Sequence, residues 1–544
     1  MDIPRRTIPG PDEEEAVMRA HRTLKTIAVG AAAMVILAGC GDSGADDDED
    51  FTLDIAITTD LQAFNPLSVT NATDIQVMNT MYLPLMRLKE GGGLEPGLMS
   101  SCTYEDGNQR VEWTIDDGYQ WSDGEPVTAD DVVFTMQTGI ASDMYGLWQG
   151  NVESVEALDE STVSANLLTP ATTACEDSSQ VLVVPQHVWG DVVEEQGADQ
   201  MGTFTLSEKD ALWVGNGPYV LAEERKGDRY TFERNEHWPT EHGEVKASSV
   251  VYRFFPDANT AQVALTSGEV AAIAPAVSES ARRTLEGSGG VELKTVAPGT
   301  SYAKLTVNTD RVPEQELRSL LLSFVDPEQV VKSVLLDTGE PLVTPLVSGG
   351  LTPDVDEREF STAEAERIVA ETGADAREFR VLCDSGVANF VKILDLMTEK
   401  AAEVGITLVN DCQERNSARS ASKEGNFDLF INPLGAGYLS PLTFTTISWD
   451  PRQADLGVFY GGHYEDPVIQ QAADEARASG TSEAGEKAAK TIVERVYEQG
   501  YARGIYSPEM AFAVSSDYSG WETANFESFS ITNAWSLANV TRAD

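Results

Sequence analysis

FRVLCDSGVANFVKILDLMTEKAAEVGITLVNDC, residues 379–412, is the stretch that decides the fold. Phe379 to Cys383 is a short, mainly apolar run that turn-forming residues bring to an end, the pattern of a buried strand. Asn389 stands where it would cap a helix. Phe390, Leu394, Met397, Ala401 and Val404 then recur at spacings of four, three, four and three, which is one helical face. Gly405 suits the position just past a helix C-terminus, and Ile406 to Val409 reads as the next strand. So short a crossover makes the two strands parallel neighbours in one sheet. Strand-like and helix-like stretches alternate elsewhere too. FTLDIAIT (51–58) and VEWTI (111–115) alternate as strands, and Thr128-Ala129-Asp130-Asp131 reads as a capping box opening a helix with Val132, Val133 and Met136 on its buried face. The class is α/β.

The whole chain is too long for one core. Its 544 residues correspond to about three units at roughly 150 residues each. Apolar residues make up 41%, enough for large cores, so the net charge of −51 does not signal disorder. Acids outnumber bases 89 to 38, which argues against nucleic acid and against a surface held on anionic lipid.

The N-terminus reads as an export signal. Arg19, Arg22 and Lys25 precede an 11-residue run of apolar or small residues, Ile27 to Leu37. That run is shorter than the about 20 residues a membrane-spanning helix needs. Met18 would open a more regular signal than Met1. Leu37-Ala38-Gly39-Cys40 resembles the bacterial lipobox, which implies cleavage before Cys40 and lipidation of its thiol. Residues 1–39 carry five acids and five bases, so the mature chain keeps the full −51. Residues 40–50 form a Gly/Ser/Asp-rich tether. With Cys40 lipidated, Cys102, Cys175, Cys383 and Cys412 remain. An even set in an exported chain implies two disulfides and allows three connectivities. Cys383 and Cys412 fall near the same end of the two parallel strands, which favours Cys383–Cys412 with Cys102–Cys175.

Six blocks, in order, carry a resemblance. They are Trp113 to Phe134 (WTIDDGYQWSDGEPVTADDVVF), Gly215 to Tyr219 (GNGPY), Arg234 to Trp238 (RNEHW) and Phe255 to Val270 (FPDANTAQVALTSGEV). Val307-Asn308-Thr309 with Pro313 and Leu317-Arg318, and Gly405-Ile406 leading to GNFDL at 425–429, complete them. With these the chain resembles the extracellular solute-binding proteins of the dipeptide, oligopeptide and nickel type that serve ABC importers. The resemblance implies a two-lobed α/β fold of the type II periplasmic-binding-protein kind, with an extra subdomain in the first lobe. The expected division is a signal at 1–39, a tether at 40–50, lobe 1 at 51–300 with an inserted subdomain at about 85–210, lobe 2 at 301–503, and a return to lobe 1 at 504–544.

The resemblance also implies a ligand enclosed between the lobes, delivery to membrane permease subunits with separate ATPase subunits, and a monomer anchored outside the cytoplasmic membrane by Cys40 alone. No cofactor and no catalysis are expected. Two alternatives stand beside this reading: a secreted hydrolase using an acid pair, and a ligand sensor on the same fold that feeds no transporter. His237 and His242 are five apart, off the spacing of a helical metal pair, so no metal site is expected.

The segment LGAGYLSPLTF (434–444) resembles the family stretch in which an acidic residue pairs with the ligand's ammonium group. Gly437 occupies that position, so a free peptide N-terminus lacks its usual partner; Asp450 is the nearest substitute. The candidate ligand-binding residues are Gly437, Tyr438, Phe444, Trp449, Tyr460 and His463 from the second lobe. From the first lobe they are Asn71, Tyr82, Trp121, Tyr145 and Trp148. Pockets of this kind are lined by aromatics with a few convergent polar groups.

Overall fold

A computed structural model describes residues 51–543 apart from 62–63, 68–71, 89–93, 143–150, 169, 205–212, 297, 299–300, 346–350, 436–440, 457–463, 481 and 524–530. Two large sheets organise it. The first has seven strands in the order Val291–Val296, Met510–Ser515, Ala272–Ile273, Thr52–Ile57, Ser249–Phe254, Arg229–Arg234 and Tyr219–Arg225. Thr52–Ile57 lies at its centre, parallel to both neighbours, and Leu53, Ile55, Ala56 and Ile57 are fully buried. Burial on both faces is what a central parallel strand requires.

The second sheet has six strands, in the order Gly339–Pro341, Ala502–Pro508, Ser301–Val307, Leu429–Gly435, Glu378–Asp384 and Thr407–Gln413. The last two are the parallel pair read from residues 379–412. Ala388–Glu403 is the crossover helix, burying Phe390, Ile393, Leu394, Met397 and Ala401, with Val404 half-buried beyond it. Gly405 follows with φ +80°, a conformation a side chain resists. One expectation is corrected: Asn389 does not cap this helix. Val387 is the N-cap residue, because Asp384 organises the entry by accepting from the Gly386 and Val387 amides. Asn389 lies inside the first turn and donates to Glu279 of the first lobe at 3.4 Å.

A four-stranded antiparallel sheet forms the extra subdomain: Met99–Glu105, Arg110–Ile115, Thr162–Leu167 and Val152–Ala157. In Arg110–Ile115, Val111, Trp113 and Ile115 alternate inward as the sequence requires. The helix Ala129–Ala141 packs nearby, and its opening centres on buried Asp131. That carboxylate accepts from the Thr128 amide (2.9 Å) and hydroxyl (3.1 Å), the Gln186 amide (2.8 Å) and the Trp121 indole (3.2 Å). Both disulfides form as favoured. Cys102–Cys175 ties the short helix Ala174–Asp177 to the small sheet, and Cys383–Cys412 joins residues directly opposite each other in the parallel pair.

The chain crosses from the first large sheet to the second between Val296 and Ser301, and returns between Pro508 and Met510. Ala502–Pro508 pairs wholly within the second sheet, so the expected boundary at 503/504 falls inside a strand. Arg282 of the first lobe pairs with Glu286 (2.9 Å) and with Glu509 at the return crossing. The two crossings are adjacent, Val296 pairing with Met510, which is the anatomy of a hinge.

Candidate functional site

The site is built on the strand Ser301–Val307 of the second lobe. Ala303, Leu305 and Val307 point to the core that holds Val381, Leu429 and Ile431. Tyr302, Lys304 and Thr306 therefore point to the opposite face, because side chains alternate along a strand. In the neighbouring antiparallel strand Asn432 stands opposite Lys304, on the same face. The helix Pro441–Trp449 covers this face: Phe444 meets Tyr302 edge-on at 6.2 Å between ring centres, and the Trp449 ring lies 4.2 Å from Lys304 Nζ.

The electrostatics of this layer are unusual. Tyr302, Lys304, Thr306, Asn432, Ser448 and Trp449 are each no more than 2% exposed. Yet the Tyr302 hydroxyl, Lys304 Nζ, Thr306 Oγ1, both amide atoms of Asn432, Ser448 Oγ and Trp449 Nε1 have no hydrogen-bond partner among the described residues. Burial pushes the Lys304 ammonium from its ordinary 10.5 down to about 7, and among the described residues no carboxylate offsets it. An isolated buried charge is costly, and buried polar atoms are nearly always paired.

The covering helix also touches the other lobe. Thr443 Oγ1 lies 2.9 Å from Thr173 Oγ1 and donates to Asp177 Oδ2 at 2.8 Å. Nearby, Gly480 approaches Thr172 so closely that a Cβ would stand 1.0 Å from Thr172 Oγ1. Thr173 and Asp177 flank Cys175, so a disulfide braces the first-lobe side of this contact.

Asp450 does not stand in for the missing acid. It is fully buried, and Arg452 (2.8 Å) and Arg477 (2.9 Å) both hold its Oδ2. Burial raises its pKa, but the two guanidinium groups outweigh that and keep it below the ordinary carboxylate range. A carboxylate already matched by two cations has little left for a ligand ammonium.

The remaining expected residues divide. Trp449 and Phe444 lie in the covering helix and share the layer with Lys304. Tyr82 and Trp121 are fully buried in the first lobe's core, Trp121 with its indole N–H on Asp131. Asn71, Tyr145, Trp148, Gly437, Tyr438, Tyr460 and His463 lie outside the described residues, as does Cys40. Lys304, Thr306 and Asn432 were not anticipated. A strand reading Tyr-Ala-Lys-Leu-Thr-Val alternates polar with apolar, which on sequence alone is a half-exposed strand. Among the described residues no group of three or more His, Cys, Asp or Glu side chains is placed to hold a metal, and no helix is long and apolar enough to cross a membrane.

With this geometry in hand, comparison with known proteins is decisive for the family. The sequence profile of the bacterial extracellular solute-binding proteins, family 5 Middle, matches residues 93–455. The chain belongs to this family. Solute binding is therefore its function, its place is outside the cytoplasm, and the type II two-lobed fold is the one expected. Among curated relatives, the oligopeptide-binding protein AppA of Bacillus subtilis is 23% identical over 401 residues, 68% of this chain and 71% of its own. The periplasmic murein peptide-binding protein MppA of Escherichia coli is 22% identical over 447 residues, 76% and 80% of the two chains. Among solved structures, the ABC transporter substrate binding protein CtaP of Listeria monocytogenes superposes with a TM-score of 0.77 at 21% identity, over 91% of this chain and 100% of its own. NikZ of Campylobacter jejuni, in complex with Ni(L-His), gives 0.75 at 22%, over 92% and 100%. At such identities the structural likeness speaks for the fold of this solute-binding protein.

Proposed function

We propose that this solute-binding protein is the receptor of an ABC importer, anchored outside the cell membrane through lipid on Cys40. It captures a small solute between its lobes and presents the closed form to permease subunits, while separate subunits hydrolyse ATP. It binds and does not catalyse. The observation that most supports this is the joint between lobes: two adjacent crossings form the hinge, and Thr443 and Gly480 reach Thr173, Asp177 and Thr172 across the opening. A body joined by two crossings and closed by polar contacts is tipped shut by a ligand touching both halves.

The relatives' names speak of peptides, murein peptide and a nickel–histidine complex, so a peptide or another small chelating or modified solute is the proposed cargo. Apart from Tyr82 and Trp121, which the first lobe's core encloses, the ligand-binding set read from the sequence stands as part of this proposal, as does the division into lobes with the return placed after Pro508. The test is a thermal-shift screen of the purified protein against a peptide pool and small organic solutes, with each hit incubated and assayed for product. Stabilisation without turnover supports a receptor; turnover of any hit refutes it. Thr443→Val should weaken the affinity of a hit several-fold by loosening closure. An unchanged affinity would remove this contact from the mechanism.

A further inference from the structure

The buried polar layer under the helix Pro441–Trp449 is short of acceptors. Lys304 Nζ, Asn432 Nδ2 and Trp449 Nε1 are donors only; the hydroxyls of Tyr302, Thr306 and Ser448 donate as readily as they accept. Asn432 Oδ1 is the one group among these unpartnered atoms that only accepts. The positive charge on Lys304 has an aromatic face beside it and, among the described residues, no anion. A tryptophan face attracts a cation but does not neutralise it or accept its three hydrogen bonds.

The layer also adjoins the contact between the lobes. Its roof is the helix whose Thr443 bonds to Thr173 and Asp177 of the other lobe, so the roof is part of the closing contact. A group with several acceptor lone pairs and a negative charge would match Lys304 and Asn432, which face the same side from paired strands. Charge-assisted hydrogen bonds of that kind are the strong ones.

We propose that Lys304, with Asn432 opposite and Trp449 above it, is the subsite that receives a carboxylate of the transported solute. The inference rests on the receptor reading and narrows it. The cargo is a carboxylate-bearing small molecule, held by its anionic group on the second lobe's sheet.

The test uses the mature chain as purified, with three proteins: wild type, Lys304→Met and Asn432→Asp. Asn432→Asp is nearly isosteric and places a built-in carboxylate opposite Lys304, so it should fold well and occupy the subsite internally. Solute released on denaturation is identified by mass spectrometry, and melting temperature is measured with a pool of small carboxylic acids and, separately, their amides. Wild type should release carboxylate-bearing solute, or be stabilised by the acids and not the amides. Both variants should retain at least about tenfold less solute and lose the response to the acids. If either folded variant keeps the same solute at the same stoichiometry, the subsite is refuted. Wild type releasing or preferring a solute without an anionic group refutes it too, while leaving the receptor reading intact. A wild type that releases nothing and responds to neither pool refutes both.

Discussion

Replacing Lys304 with methionine should make the ligand-free protein more stable, and the gain should depend on pH. The two side chains have similar length, so the space under Trp449 stays filled. What changes is the ammonium. Its pKa falls from 10.5 to about 7 on folding. At about 1.4 kcal/mol per unit, full protonation costs the folded state about 5 kcal/mol, and at neutral pH, where the buried amine is half neutral, about 4 kcal/mol. Against this stands the loss of the contact with the Trp449 ring, about 1–2 kcal/mol when desolvated. The net gain at neutral pH is then about 2–3 kcal/mol.

The sign follows from linkage. Between about 7 and 10.5 the unfolded chain binds the proton and the folded one releases it, so the wild-type contribution improves as pH rises through this window. It is complete above 10.5 and worst below about 7. The difference between variant and wild type should therefore be largest at about pH 6 and shrink steadily towards about pH 10. The assay is urea unfolding of both proteins, stripped of solute by unfolding and refolding, across that range. Other titrating groups are common to both and cancel in the difference. A variant less stable than wild type at about pH 6, or a difference that does not change with pH, would refute the assignment of Lys304 as an uncompensated buried cation.

Other outcomes follow from the same structure. Asp131→Ala removes one acceptor and strands the Trp121 indole and the Gln186 and Thr128 amides, so stability should drop by about 3 kcal/mol or more, seen as a lower urea midpoint with the subdomain's tryptophan fluorescence changing first. Replacing Cys383 and Cys412 together with serine opens a loop of 29 residues and should cost about 3–4 kcal/mol in the chain-entropy account, read as a lower urea midpoint under non-reducing conditions; reducing the wild type should cost more, because Cys102–Cys175 opens as well. The charge of −51 should make the melting temperature climb by several degrees between about 0.1 M and molar salt, as screening removes self-repulsion among the acids; a flat salt series would count against this.

Local signals carried a great deal of this protein. The strand–helix–strand unit at 379–412 was legible because its period is local and each side chain's face is set by backbone geometry. Its cap was misread, since a turn held by the Asp384 carboxylate competes with Asn389 and nothing in the spacing distinguishes them. Thr128 and Asp131 announced a helix start, yet the convergence of Trp121 and Gln186 on the same carboxylate joins residues up to 55 positions apart. The four described aromatics picked for a cleft divide, Tyr82 and Trp121 in the core of the first lobe and Phe444 and Trp449 in the layer around Lys304, because aromatic character alone does not report which face of a fold it serves.

By itself the sequence determined the α/β class and the family and favoured the cystine pairing that forms, all from local pattern or ordered blocks. Only the tertiary structure decided what Lys304 is. Alternation along Ser301–Val307 prescribes that Lys304 and Thr306 share a face, and the same alternation holds whether that face meets water or a helix. The helix that covers it lies more than a hundred residues further on and is also held by the opposite lobe. Burial is a property of that packing, and burial is what turns an ordinary lysine into a cation in want of an anion.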